Sequence, residues 1–335
     1  MTIILRKLKE MKKLLIIRFS SFGDIVQSLS CIPALLEKYP KSQIDFLTKS
    51  NFVEIVELEK NITKIHSFNK ELGVFGLMKM ASSLRDQDYD LIYDAHSNIR
   101  SFIVKTMMRF GKLVRVVTRK KFRLKRFLLF KFRKNYFSNW PFISRLSFIT
   151  PLGLKELKVS EWVFKTDPLN LPKGKVALVL GANWDLKIWP QQHWMSLIEL
   201  ILSQSSEDVV LLGGKLEKAV AQKIMARFPQ RVLDFVDKCS LIESCYILSE
   251  SKYFVSADTG LLHIGDGLNV PGVCLMGPTA FGYPASKNVE VLEVELACRP
   301  CSKDGRGKCS QDTYKKCMVE IRPVTVFGKI NEYIS

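Results

Sequence analysis

The sequence predicts an α/β protein made of two doubly wound parallel-sheet domains, and three observations carry that expectation. Its 335 residues exceed what one hydrophobic core comfortably holds and fall short of three. Short apolar runs alternate with stretches of helical periodicity, the pattern of strands covered by helices on both faces. Near the middle, the stretch Asp167-Pro168-Leu169-Asn170-Leu171-Pro172-Lys173-Gly174 interrupts the alternation with prolines and a glycine and reads as a linker.

In the first half, Leu14 to Phe19 is a continuous apolar run short enough for a buried parallel strand. A helix over Ile25 to Tyr39 follows, then a strand at Ile44 to Leu47, helices near Phe52 to Leu58 and Val74 to Leu84, and a strand at Leu91 to Tyr93. A helix over Ile99 to Arg109 and a strand at Leu113 to Val117 complete the cycle. In the second half, strands are expected at Val176 to Leu180, Val209 to Leu212, Val232 to Phe235, Tyr253 to Ser256 and Gly272 to Met276. The helices between them fall near Gln191 to Leu202, Leu216 to Phe228, Leu241 to Ser249 and Leu261 to Leu268. The expected domains are residues 11–166 and 174–322, with a closing helix over 323–335. Met11 followed by Lys12-Lys13 and a strand reads as a natural start, which makes residues 1–10 an appendage.

An apolar share of 47% with 25% charged residues excludes wholesale disorder. Lys and Arg outnumber Asp and Glu by 51 to 33, a net charge of +18, which favours anionic partners: nucleotides, phosphorylated glycans, anionic lipid or nucleic acid. The chain opens without a secretory signal pattern, so a cytoplasmic protein is expected. The longest uncharged stretch, Gly267 to Ser286, carries Pro271, Pro278 and Pro284, which argues against a spanning helix.

In doubly wound sheets ligands bind outside the carboxyl ends of the strands, and paired domains hold them in a central cleft. The unusual polar residues fall after strands. Ser20-Ser21-Phe22-Gly23-Asp24 follows the first; Asp94-Ala95-His96-Ser97-Asn98 with Arg100 follows Tyr93. Gly181-Ala182-Asn183 and Lys187 follow Leu180, Gly213-Gly214-Lys215 and Glu217 follow Leu212, and Asp258-Thr259-Gly260 with His263 follows Ser256. Asp258-Thr259-Gly260 opens a helix, whose N–H groups and dipole suit phosphate, while Asp and Thr are equally good helix caps. Lys187 has the place of a point charge reaching a diphosphate. Asp24 is a candidate general base or a helix cap, and Gly23 lets the chain turn sharply beside it. His96 and His263 are two of only four histidines. Asp86-Gln87-Asp88-Tyr89-Asp90 has an Asp-x-Asp spacing suited to a metal, but it precedes a strand and so belongs to the wrong edge. Catalysis without a metal or other cofactor is expected.

Together these clusters resemble glycosyltransferase family 9, the lipopolysaccharide heptosyltransferases, from Lys13 to about Ile330. The most specific stretch is Asp258-Thr259-Gly260-Leu261-Leu262-His263, continued by Val270-Pro271-Gly272-Val273 and Gly277-Pro278-Thr279. Arg18-Phe19-Ser20-Ser21-Phe22-Gly23-Asp24 is similar to the family's amino-terminal motif, and Lys187-Ile188-Trp189-Pro190 with His193-Trp194 to its diphosphate-neutralising segment. The resemblance implies a GT-B fold of two Rossmann-like domains facing a central cleft, and inverting transfer of a heptose from a nucleotide-sugar donor, ADP-heptose, to the lipopolysaccharide core. It implies Asp24 as base and Lys187 as the diphosphate's counter-charge. Asn183, Glu217, Asp258, Thr259, Gly260 and His263 fall on the donor side; Ser21, Gly23, His96 and Arg100 fall on the acceptor side. Two departures stand out: His96 where many members carry Gln, and Ile264-Gly265-Asp266-Gly267 in place of Leu-Ala-Ala-Ala, expected to form a flexible charged turn.

Gly111 to Phe137 holds eleven Lys and Arg with no acidic residue, interleaved with aromatics, the composition of an arm that lies on anionic membrane. The enzyme is therefore expected to be peripheral at the inner face of the inner membrane. Single-stranded nucleic acid is the rival partner, and a related donor sugar the rival chemistry; nucleic-acid binding is not expected. A nicotinamide dehydrogenase is set aside because no Gly-x-Gly-x-x-Gly follows the first strand. Cys298, Cys301, Cys309 and Cys317 form a candidate zinc set whose spacing is half right.

Overall fold

Continuous apolar runs become the buried centre of each sheet, and the polar edges explain what the periodicity misses. The computed structural model describes residues 12–138, 140–164 and 171–334. The expected appendage, residues 1–10, and residues 167–170 of the expected linker lie outside them. Among the described residues, 12–122 and 145–164 form one compact unit, and 123–138, 140–144 and 171–334 form a second.

In the first unit, β1 (Lys13–Ile17) leads through α1 (Phe22–Leu29) and α2 (Cys31–Lys38) to β2 (Gln43–Lys49) and β3 (Lys64–Phe68). Then come α3 (Gly73–Arg85), β4 (Leu91–Asp94), α4 (Ile99–Arg109) and β5 (Arg115–Thr118). All pairings are parallel, in the order β3-β2-β1-β4-β5. The expected helix Ile25 to Tyr39 is two helices: Pro33 has no N–H to give the Leu29 carbonyl, and the chain resets at Ser30. Strand β3, Lys-Ile-His-Ser-Phe, has no apolar run because it is an edge strand buried only at Phe68.

The second unit contains α5 (Arg123–Phe132), β6 (Val176–Val179), α6 (Gln191–Gln204), β7 (Val209–Leu212), α7 (Lys218–Arg227), β8 (Val232–Asp234) and α8 (Leu241–Ser249). It continues with β9 (Tyr253–Ala257), α9 (Gly260–Gly267), β10 (Gly272–Met276), β11 (Val289–Glu293) and α10 (Pro323–Ile334). Its sheet is parallel in the order β11-β10-β9-β6-β7-β8. Trp189 and Trp194 meet edge to face in its core, 4.8 Å between ring centres, and the Trp189 indole N–H donates to the Ile321 carbonyl at 3.0 Å. Helix α10 adds Val326, Phe327 and Ile330 to the same core, so the closing helix is part of this unit.

The expected basic arm is divided. Residues 115–118 form β5 of the first sheet, whereas α5 packs in the second unit, with Phe130, Phe137 and Phe142 around Phe281. The Arg126 guanidinium lies 4.1 Å from the Phe281 ring centre, and Arg133 donates to the carbonyls of Cys298 and Pro300. Several of these cations are structural ties, and one stretch of sequence serves two units. No helix among the described residues is long and apolar enough to cross a membrane.

Candidate active site

Strand order reverses between β1 and β4 in the first sheet and between β6 and β9 in the second. Such switch points open a crevice at the carboxyl edge because the flanking loops leave in opposite directions. The sequence-predicted residues gather at these two edges.

In the first unit, Arg18 leaves the end of β1 and its guanidinium pairs with Asp24 in the first turn of α1. It also donates to the Ala95 carbonyl at 2.6 Å. Arg119, directly after β5, approaches the other Asp24 oxygen at 4.0 Å and stacks on Phe148 at 3.7 Å, while Ser147 accepts two of its N–H bonds. The Ser21 hydroxyl donates to Asp24 Oδ2 at 3.0 Å. Desolvation pushes the Asp24 pKa up, but Arg18, then Arg119, then the Ser21 hydrogen bonds outweigh it and leave the carboxyl at about 2. Asp24 thus caps its helix and is also the charged centre of the edge.

His96 is buried on the loop after β4, its ring edge-on to Phe19. Burial lowers its pKa to about 3, helped by Arg18 and Lys121 and opposed by Asp24 and Asp94, so the imidazole is neutral. Among the described residues its Nδ1 has no hydrogen-bond partner. The loop is held from beneath by Asp94, which accepts the His96 and Ser97 N–H groups at 3.1 and 2.7 Å and pairs with Lys105 at 2.8 Å. Gly23 lies in the first turn of α1 beside Asp24, and Arg100 in the first turn of α4, partly exposed.

In the second unit, the Lys187 ammonium bonds the Asp258 carbonyl and stands 3.5 Å from its carboxylate. Thr279 donates to the same carboxylate at 2.7 Å, and His263 Nε2 is 3.7 Å from its other oxygen. Desolvation raises the Asp258 pKa, yet Lys187, His263 and Thr279 together hold it below the ordinary carboxylate value. Thr259 caps α9, its hydroxyl accepting from Leu262 N–H at 3.3 Å, and Gly260 begins the helix. A Cβ on Gly282 would lie 2.0 Å from Asp258 Oδ1, so only glycine lets this loop close over the carboxylate. Glu217 is buried, accepts Gly214 N–H at 2.9 Å and packs against Gly181, tying the loops after β6 and β7 together. Asn183 is exposed on the loop after β6.

One expectation needs correction, and one open question is narrowed. Ile264-Gly265-Asp266-Gly267 is helical, and the buried Asp266 accepts the Ala285 and Ser286 N–H groups at 2.8 and 2.6 Å, so the charge braces a loop. The four cysteines are free thiols, and among the described residues no group of three or more His, Cys, Asp or Glu is arranged to hold a metal. Asp90 accepts the Lys12 and Lys13 N–H groups and Asp88 pairs with Lys112, at the amino edge of the first sheet. Sequence reasoning gave no role to Arg119, hidden in the basic stretch, or to Arg299, which donates to the carbonyls of Met276 and Gly277 at the end of β10 and of Val294 just after β11. The available signal for Arg119 was its position directly after a strand, the rule that located the other site residues.

A family model described as glycosyltransferase family 9 (heptosyltransferase) matches residues 77–314. The lipooligosaccharide heptosyltransferase 2 of Haemophilus ducreyi is 24% identical over 355 residues, covering 96% of this chain and 99% of that protein. The lipopolysaccharide heptosyltransferase 1 of Pseudomonas aeruginosa is 24% identical over 322 residues, covering 87% and 86%. The solved Escherichia coli ADP-heptose lipopolysaccharide heptosyltransferase II superposes with a TM-score of 0.71 at 18% identity, covering 96% of this chain and 98% of that one, which speaks for the fold. With a family model spanning most of its length and two parallel-sheet units of the GT-B kind, the chain belongs to glycosyltransferase family 9 and is a glycosyltransferase.

Proposed function

We propose that the protein is an inverting, metal-independent transferase that moves a heptose from ADP-heptose to the inner core of lipopolysaccharide, at the cytoplasmic face of the inner membrane. The carrying observation is a division of charge. Asp24, a carboxylate fixed by Arg18, stands at the switch point of one unit, and the Lys187–Asp258–Thr279 set stands at the switch point of the other. The relatives' names, lipopolysaccharide and lipooligosaccharide heptosyltransferase, and ADP-heptose in the name of the Escherichia coli enzyme, support the donor and acceptor.

In this reading the acceptor oxygen attacks the anomeric carbon from the face opposite the diphosphate. The new C–O bond forms as the bond to the diphosphate oxygen breaks, the acceptor proton passes to Asp24, and ADP leaves with its charge met by Lys187 and the opening of α9 at Thr259. A carboxylate with a pKa of about 2 is a weak base toward a free hydroxyl. It suffices here because the attacking oxygen becomes strongly acidic as it bonds to carbon, so the proton moves late. His96, neutral and with Nδ1 unpartnered among the described residues, offers a hydrogen bond to the acceptor in this reading, and Ser21, Gly23 and Arg100 serve the same side. Asn183, Glu217 and His263 serve the donor. In this reading Lys187 meets the charge that develops on the leaving diphosphate, the part a divalent ion plays in metal-dependent transferases.

The test is turnover of ADP-heptose on an inner-core acceptor in EDTA, with the anomeric configuration of the product read by NMR. Stabilisation by ADP but not by UDP or GDP in thermal-shift measurements accompanies it. Retained configuration, a metal requirement, or selective stabilisation by UDP or GDP contradicts the reading.

A further inference from the structure

Helices α3 and α4 pack side by side in the first unit and both start at the carboxyl edge of its sheet, the edge that holds Asp24 and His96. Their inner faces are ordinary core: Leu77, Ala81 and Leu84 on one, Val104 and Met108 on the other. Their first turns are not. Phe75 is 87% and Ile99 76% exposed, and Leu72, Val74 and Phe102 are each more than half exposed. Five large apolar side chains are thus exposed at the start of two adjacent helices on one edge of the unit, a grouping of the kind that marks an interaction site.

The charge beside the patch indicates its occupant. Lys49 ends β2, Lys70 sits in the turn before α3 and Arg100 in the first turn of α4. Burial depresses the Lys49 pKa, and the charged groups acting on it, Arg100 and Lys70, lower it further, so these cations crowd one another. Glu71 lies in the same turn as Lys70, but cations prevail three to one, and exposed apolar side chains beside a net positive charge fit a surface that is apolar inside and anionic at its headgroups. We propose that this edge of the first unit, the first turns of α3 and α4, is where the enzyme docks on an anionic lipid surface. The proposal rests on the reading that the acceptor is lipid-linked, and it places docking in the acceptor unit instead of the basic helix α5, part of whose charge is already committed to Phe281 and to carbonyls.

Co-sedimentation of the full chain with vesicles of phosphatidylglycerol and phosphatidylethanolamine, and with vesicles of phosphatidylcholine alone, tests this. Three variants are compared: Phe75→Ser/Ile99→Ser/Phe102→Ser in the patch, Lys70→Gln for its charge, and Leu124→Ser/Phe127→Ser on α5. The wild type should bind the anionic vesicles, the patch variant about tenfold or more weakly, the Lys70 variant more weakly with a shallower salt dependence, and the α5 variant as the wild type. Patch-variant turnover should hold on a soluble truncated acceptor and fall on a vesicle-borne one. A wild type that binds no anionic vesicle overturns both the membrane reading and this placement. A wild type that binds equally well with the patch removed, or loses binding only with the α5 variant, overturns the placement alone. A dimer in light scattering that dissociates in the patch variant, with vesicle binding unchanged, makes a second copy the occupant and overturns it as well.

Discussion

Arg18 and Asp24 form an ion pair in which the guanidinium side chain is 5% exposed and the carboxylate 35%. The pair is therefore anchored on one side and open on the other. Oδ2 is occupied by Arg18 and Ser21, whereas Oδ1 has Arg119 at 4.0 Å. In the proposed mechanism Oδ1 takes the proton, and the arginines fix where the carboxylate points.

That arrangement sets a pH dependence. The Asp24 pKa is depressed from 3.8 to about 2, so its ionised form, and the stability it contributes, are fully present above the unfolded value and are lost as pH falls through the folded one. Between pH 5 and 8 the rate should show no acid limb from Asp24. Arg119→Met removes one of the two cations and leaves an apolar side chain of similar reach beside Phe148, so the limb should move upward in the kcat/KM profile. A profile identical to wild type down to the limit of folding would mean that Arg119 does not act on the base.

His96 contributes a dependence of its own. Its pKa falls from 6.5 unfolded to about 3 folded, so the unfolded chain takes up the proton first and stability drops as pH falls through that window. Between pH 6.5 and 5 the loss is about 2 kcal/mol. His96→Gln, which has no titrating group, should lose less stability than wild type in denaturant titrations at the two pH values. Equal losses would show that the imidazole is not held neutral.

Gly282→Ala drives a methyl group into Asp258 Oδ1, so either the loop or the carboxylate must move. ADP binding should weaken by about tenfold or more, because Lys187 and Thr279 both meet that carboxylate. Gly328→Ala is the control: nothing lies within 4 Å of its added Cβ, and in the interior of α10 it should stabilise by about 0.5–1 kcal/mol. Unchanged ADP affinity in Gly282→Ala would detach this loop from the donor site.

The centres of both sheets were legible because buried parallel strands are short apolar runs; Val209–Leu212 and Gly272–Met276 fall where the runs do. The edge strands β3 and β11 were not, since half-exposed strands carry Lys, His and Glu on their open faces. The site residues could be located by one rule, polar clusters after strands. Their partners could not: Arg119 and Phe148 are far from Asp24 in sequence, and only the fold stacks them beside it. In the basic stretch, composition does not record which cations are already bound, as Arg126 and Arg133 are. Asp266 looked like an exposed charge because nothing local predicts that two backbone N–H groups some twenty residues on will meet it.

The central claim is that Asp24 moves a proton and Lys187 holds a diphosphate, and one paired measurement tests it: ADP affinity by calorimetry beside turnover, for Asp24→Asn and Lys187→Ala, each checked for folding. Because Arg18 stays buried when the carboxylate is neutralised, Asp24→Asn should melt a few degrees lower yet bind ADP nearly as the wild type does, while turnover falls by about 10²–10⁴-fold. Lys187→Ala should lose ADP affinity and turnover together, since its charge acts on the bound donor and again on the leaving group. A folded Asp24→Asn enzyme that turns over at near wild-type rate, or one that loses ADP binding as Lys187→Ala does, would contradict the account.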